Sequence, residues 1–173
     1  TRDRASVVGY ASIIFTRTDK GVPQEVKAAE GVGALTEAQK DRLLQIARDT
    51  VESFVNTGKI LEFKETDPRL LQEEGAFVTL HRQGRLRGCI GHIIGEGPLY
   101  RTVRDMAVAA ASEDPRFPPV TPDELKDIDI EISVLSRPRP ASAAEIVLGT
   151  HGVIVSRGPF NRGVFLPQVA TET

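Results

Sequence analysis

The chain has 173 residues, 40% hydrophobic and 27% charged, with a formal net charge of -2 at pH 7. That length and balance suit one globular domain with extensions and leave enough chain to bury a core. The acidic balance argues against nucleic acid, no apolar run reaches a membrane span, and a single cysteine excludes an internal disulfide or a Cys-rich zinc site. The expected setting is a reducing cytoplasm, with no nucleic-acid or membrane partner.

In chain order, Val7 to Phe15 is apolar and β-rich and predicts a strand. A long flat strand on a tether suits edge pairing, either with a sheet of its own chain or by self-association between chains. Residues 16–33 read as a linker, with Asp19-Lys20-Gly21, Pro23 and Gly31-Val32-Gly33. The domain proper is expected over 34–173. Thr36 with Gln39 forms a capping-box pattern, Leu43, Ile46, Ala47, Val51 and Phe54 recur at helical spacing, and Gly58 supplies a stop. Residues 59–74 are polar and predict a loop.

Gly75 to Ile93 predicts a hairpin around a tight turn at Gln83-Gly84. Its second strand carries the only cysteine, Cys89, between Gly88 and Gly91. Glycine in a strand permits a close approach to the backbone. Alternation places Arg87, Cys89 and Gly91 on one face, and a two-residue turn sets Cys89 opposite Val78 and Arg87 opposite Leu80. An arginine on the cysteine's face favours the thiolate, the reactive form; the competing reading is a small buried hydrophobe.

Gly95 to Pro98 turns the chain into a second helix with Leu99, Val103, Met106, Ala107, Ala110 and Ala111 inward. Asp114 to Pro119 is a proline-stiffened loop. Its Arg116 either grips an anionic ligand as a fork or pairs with Asp114. Thr121-Pro122-Asp123-Glu124 opens a short helical turn. Ile128 to Val134 alternates as a strand with the isoleucines inward and Glu131 outward. A short helix is expected over Ala143 to Leu148. A second hairpin is expected from Gly152 to Leu166, followed by Gln168.

Leu86-Arg87-Gly88-Cys89-Ile90-Gly91 resembles the signature hexapeptide of the AMMECR domain family. Phe77 to Leu80, Asp114 to Phe117, Glu131 to Ser136 and Leu166 to Ala170 fit the same family in the same order. The resemblance implies an α+β fold with a mainly antiparallel sheet and flanking helices in two lobes. It also implies a partnership with a Memo-type protein and a radical S-adenosylmethionine protein, without an assigned activity or cofactor. The Gly-Tyr-Ala-Ser run at Gly9 to Ser12 is similar to the last strand of a Memo-type domain. Residues 1–15 are thereby expected to be a remnant of a domain fused upstream, the competing reading being an extra strand of the present domain. The resemblance also implies a further Trp-containing segment after Thr173, so the domain is expected to be incomplete at its C-terminal side.

Five functions compete on these residues. A metal site from Cys89, His81, His92 and His151 matches no zinc spacing, and none is expected. A Cys89 nucleophile needs a base, with His81 and Glu131 as candidates, and whether the protein is an enzyme stays open. Nucleic-acid binding is disfavoured by charge. The favoured reading is a Cys89-centred site for a small anionic ligand, lined by Arg87, Gly88, Gly91, Arg116, Glu131 and Gln168. The alternative is a non-catalytic protein-interaction or regulatory module.

Overall fold

A computed structural model of the chain describes residues 6–16, 35–136, 139–140, 146, 151–157 and 161–165. They include seven strands and two α-helices. These are β1 (Ser6–Thr16), α1 (Glu37–Thr57), β2 (Gly75–Arg82), β3 (Arg85–His92) and α2 (Leu99–Ser112). A 3-10 turn (Pro122–Asp127), β4 (Ile128–Leu135), β5 (Arg139–Pro140), β6 (His151–Arg157) and β7 (Asn161–Phe165) complete the order. The class is α+β, as expected. The backbone divides into two compact units, one holding residues 6–9 and 35–134, the other 10–16 and the described residues from 135 on.

In the first unit, β2, β3 and β4 form an antiparallel sheet in the order β3-β2-β4, so β3 lies at an edge. One face of that sheet carries Ala76, Val78, Leu80, Ile128, Ile130 and Ile132, all buried in a single core with Leu43, Ile46 and Val51 of α1 and Val103 and Ala107 of α2. The period-2 and period-3.6 patterns in the sequence meet there. Thr36 caps α1 through the expected box, its hydroxyl accepting from the Gln39 N–H while the Gln39 amide oxygen accepts from the Thr36 N–H. Gly58 ends α1 in the left-handed conformation at φ 71°, where a side chain would be strained. In the second unit, β1 pairs in parallel with β5 and β6, and β6 pairs antiparallel with β7. The N-terminal strand is thus placed on a sheet of its own chain. The linker at 17–33 and the helix expected at 143–148 lie outside the described residues, apart from Ile146.

The β2–β3 turn is as read, with Gln83 at φ 53° and Gly84 at φ 74°, both positive as a tight hairpin turn requires. The register beyond it is not. Arg82 opposes Arg85 and His81 opposes Leu86, but Leu80 then opposes Gly88 and Thr79 opposes Cys89. Arg87 is the extra residue of a β-bulge. The cause is α2. A Cβ at Gly88 would overlap the Ala110 carbonyl oxygen, so only glycine fits that core-side position against the helix backbone. Arg87, expected opposite Leu80, has no room there.

Gly88→Ala is therefore expected to destabilise the fold by about 2–3 kcal/mol, the range for overpacking. Gly97→Ala, where an added Cβ meets nothing within 4 Å, should stay within about 0.5 kcal/mol of wild type. Urea midpoints measure both, and equal midpoints for wild type and Gly88→Ala would contradict the contact.

Candidate functional site

The bulge decides where the thiol points. In the expected register Cys89 faces the core beside Val78. In the observed one it shares the opposite sheet face with Thr79, and it is half-buried. The Thr79 hydroxyl donates to the Cys89 sulfur at 3.1 Å. Cys89 also turns its backbone toward the open edge of the sheet, where the Asp114 loop meets it. The Cys89 N–H donates to Asp114 Oδ2 at 2.8 Å, and Arg116 Nη2 donates to the Cys89 carbonyl at 3.4 Å.

Asp114 and Arg116 act as one clasp. Arg116 reaches both Asp114 oxygens, from Nε at 2.9 Å and from Nη2 at 2.7 Å, while its backbone N–H donates to Oδ1 at 3.1 Å. The Asp114 carboxylate is buried, and its pKa is held well below the usual range, first by the Arg116 guanidinium, then by the N–H groups of Cys89 and Arg116, against the opposing cost of burial. Of the two readings of Arg116, pairing with Asp114 is present. The Arg116 side chain is nonetheless 54% exposed, and its Nη1 has no hydrogen-bond partner among the described residues.

A second clasp takes up Arg87. Its Nε and Nη2 make a fork onto Glu124 at 2.9 and 2.8 Å, and its remaining hydrogens reach the Pro118 and Pro119 carbonyls. Arg82 adds a third cationic contact to Glu124 at 2.8 Å, and Thr121 adds its N–H and hydroxyl. The Glu124 pKa falls from 4.5 to about 2, chiefly through the Arg87 hydrogen bonds, with burial opposing. The sequence presents Glu124 only as the acid of a capping box. The sign that it does more is three arginines, Arg82, Arg85 and Arg87, on one hairpin with no acid of their own there.

The other expected residues take up varied positions. Gly91 lies beneath the Phe77 ring and Gly88 beneath the Ala110 carbonyl, so the close approach that each glycine allows is made by the chain itself. Glu131 is half-buried on the sheet side of Cys89, with β2 between their strands, and it makes no bond to the cysteine. His81, expected to point away from Cys89, is brought to the same side by the bulge, again without a hydrogen bond between them. Gln168 lies outside the described residues. Among the described residues no group of three or more His, Cys, Asp or Glu side chains is placed to hold a metal, and no helix is long and apolar enough to cross a membrane.

The profile of the AMMECR1 family matches residues 44–173. A Methanothermobacter thermautotrophicus protein is 44% identical over 138 residues, covering 75% of this chain and 71% of its own length. A Thermotoga maritima protein is 46% identical over 124 residues, covering 69% and 71% respectively. The crystal structure of an uncharacterised Pyrococcus horikoshii protein superposes with a TM-score of 0.68 at 37% identity, over 76% of this chain and 70% of that one. The α+β fold is therefore shared with that solved structure. The chain belongs to the AMMECR1 family.

Both clasp carboxylates have depressed pKa values in the folded state, so their stabilisation is present above the free-carboxylate range and lost as pH falls through the folded values. For Glu124 the window runs from pH 4.5 down to about 2. Glu124→Gln should cost about 3 kcal/mol at pH 7, as for breaking a buried ion pair. The gap to wild type should close as pH falls through that window, read from urea unfolding at pH 6, 4.5, 3 and 2. A gap independent of pH would contradict the assignment.

Proposed function

We propose that this AMMECR1 domain holds a small anionic ligand at Cys89 and acts together with Memo-type and radical S-adenosylmethionine proteins. The observation that carries the reading is the convergence on one half-buried residue of the Thr79 hydroxyl, the Asp114 carboxylate and the Arg116 guanidinium. Thr79 contacts the sulfur itself, while Asp114 and Arg116 fix the backbone that presents it. A hydroxyl donating to sulfur stabilises negative charge there, the form that attacks or coordinates. Arg116 supports an anionic ligand, because its half-exposed guanidinium keeps one nitrogen for a further acceptor. Arg87, Gly88 and Gly91 serve this site as framework, fixing the register that presents the thiol. Glu131 and Gln168 remain its proposed outer lining.

The partners rest on sequence. Gly9 to Ser12 resembles the end of a Memo-type domain, and β1 lies outside the residues that the family profile matches. A second reading, a protein-interaction module, is favoured by the edge position of β3 and by Leu86, which is exposed there.

Native mass spectrometry after incubation with a small-metabolite extract and both partner proteins tests the proposal. The expected result is a retained mass that Cys89→Ala abolishes and Arg116→Ala reduces about tenfold, with no rescue by Arg116→Lys because the fork is lost. Iodoacetamide should label native Cys89, about fivefold more slowly in Thr79→Val, equivalent to roughly 1 kcal/mol for one hydrogen bond. A thiol labelled only after unfolding would contradict the site. Partner binding unchanged by Cys89→Ala, with no retained mass, would favour the interaction module.

A further inference from the structure

A cavity of about 360 Å³ opens between the end of β3 and the first turns of α2. Its size is within the small-molecule range, and none of Thr79, Cys89, Asp114 or Arg116 lines it. Its charged groups fall into two kinds. Arg104 is already neutralised by Glu62 at 2.9 Å and Asp105 at 2.8 Å. Arg101 and Glu96 are not. The Arg101 Nε donates to the Tyr100 hydroxyl at 3.0 Å, but neither of its terminal nitrogens has a partner among the described residues. Glu96 has none either, and the two make no ion pair with each other although both line the cavity. His92, exposed at the end of β3, adds an imidazole to the rim, and Met106 adds a buried apolar surface.

We infer that this cavity binds a small zwitterion of the α-amino-acid class, its carboxylate on Arg101, its ammonium on Glu96 and an apolar side chain toward Met106. Two opposite charges that line one cavity without meeting are matched by a ligand carrying both. A simple anion is disfavoured by the backbone as well as by Glu96. The first-turn amides of α2 are taken: the Leu99 N–H donates to the Gln72 carbonyl, that of Tyr100 to Leu70, and those of Arg101 and Thr102 to Pro98. An oxyanion finds no free helix amide on that first turn, and beside the Arg101 fork it meets the Glu96 carboxylate. A simple cation meets Arg101. The zwitterion satisfies both ends. This inference is independent of the Cys89 reading.

The test is NMR titration of the ¹⁵N-labelled chain with free L-amino acids, led by L-leucine, beside N-acetyl-L-leucine, L-leucinamide and inorganic phosphate. At least one free amino acid should shift the Gly97 and Thr102 amide signals saturably. Blocking either its ammonium or its carboxylate should weaken binding at least tenfold. Arg101→Ala and Glu96→Gln, both at exposed positions, should each weaken it about tenfold with an unchanged melting temperature, and Cys89→Ala should leave it intact. The inference is overturned if no free amino acid shifts those signals, if a blocked form binds as well as the free one, or if phosphate reproduces the same shifts.

Discussion

The backbone of α2 lies against β3 at one point, with the Ala110 carbonyl over Gly88, and much of the first unit depends on that contact. A helix this close to a strand excludes every side chain at the touching position. The strand meets the demand by a bulge that brings Gly88 opposite Leu80 and leaves Arg87 unpaired in the ladder. One residue of slip reverses the face of the side chains beyond the bulge. Cys89 leaves the core side, and Arg87 is freed to swing out to Glu124.

The two clasps then hold the displaced strand from outside the sheet. Glu124 gathers Arg82 and Arg87 from the two arms of the hairpin, tying its turn end to the segment before β4. Asp114 and Arg116 stand in for a missing neighbouring strand at Cys89, accepting from its N–H and donating to its carbonyl. A sheet edge left bare at that point invites pairing with other chains; here a loop covers it. Because each clasp sets acids against arginines, the site carries little uncompensated charge. In the proposed site, selectivity at Cys89 rests on the one exposed guanidinium edge and the thiol itself.

Local signals are legible in the sequence because local chemistry decides them. The Thr36–Gln39 box, the Gly58 stop, the positive-φ turn at Gln83-Gly84 and the alternation from Ile128 to Val134 all stand as read. The hairpin register is not legible, because it depends on a helix backbone arriving from about 20 residues further along. Arg87 reads as a ligand arginine in the sequence because its acid, Glu124, is 37 residues away and disguised by a capping role. Arg116 has its partner two residues off, so both of its readings are visible. His81 keeps its face on β2, and Cys89 joins it there for the same reason. One non-local contact accounts for each of these face reversals.

Amide hydrogen exchange reads directly whether Asp114 clamps Cys89 at the sheet edge, the claim on which the site depends. Cys89 and Gly91 both turn their N–H groups outward by strand alternation, but only the Cys89 amide has an acceptor there among the described residues. The predicted result is slow exchange at Cys89 beside fast exchange at Gly91, with loss of the Cys89 protection in Asp114→Ala while the β2 core amides stay protected. Fast exchange at Cys89 in the wild-type chain would contradict the clamp.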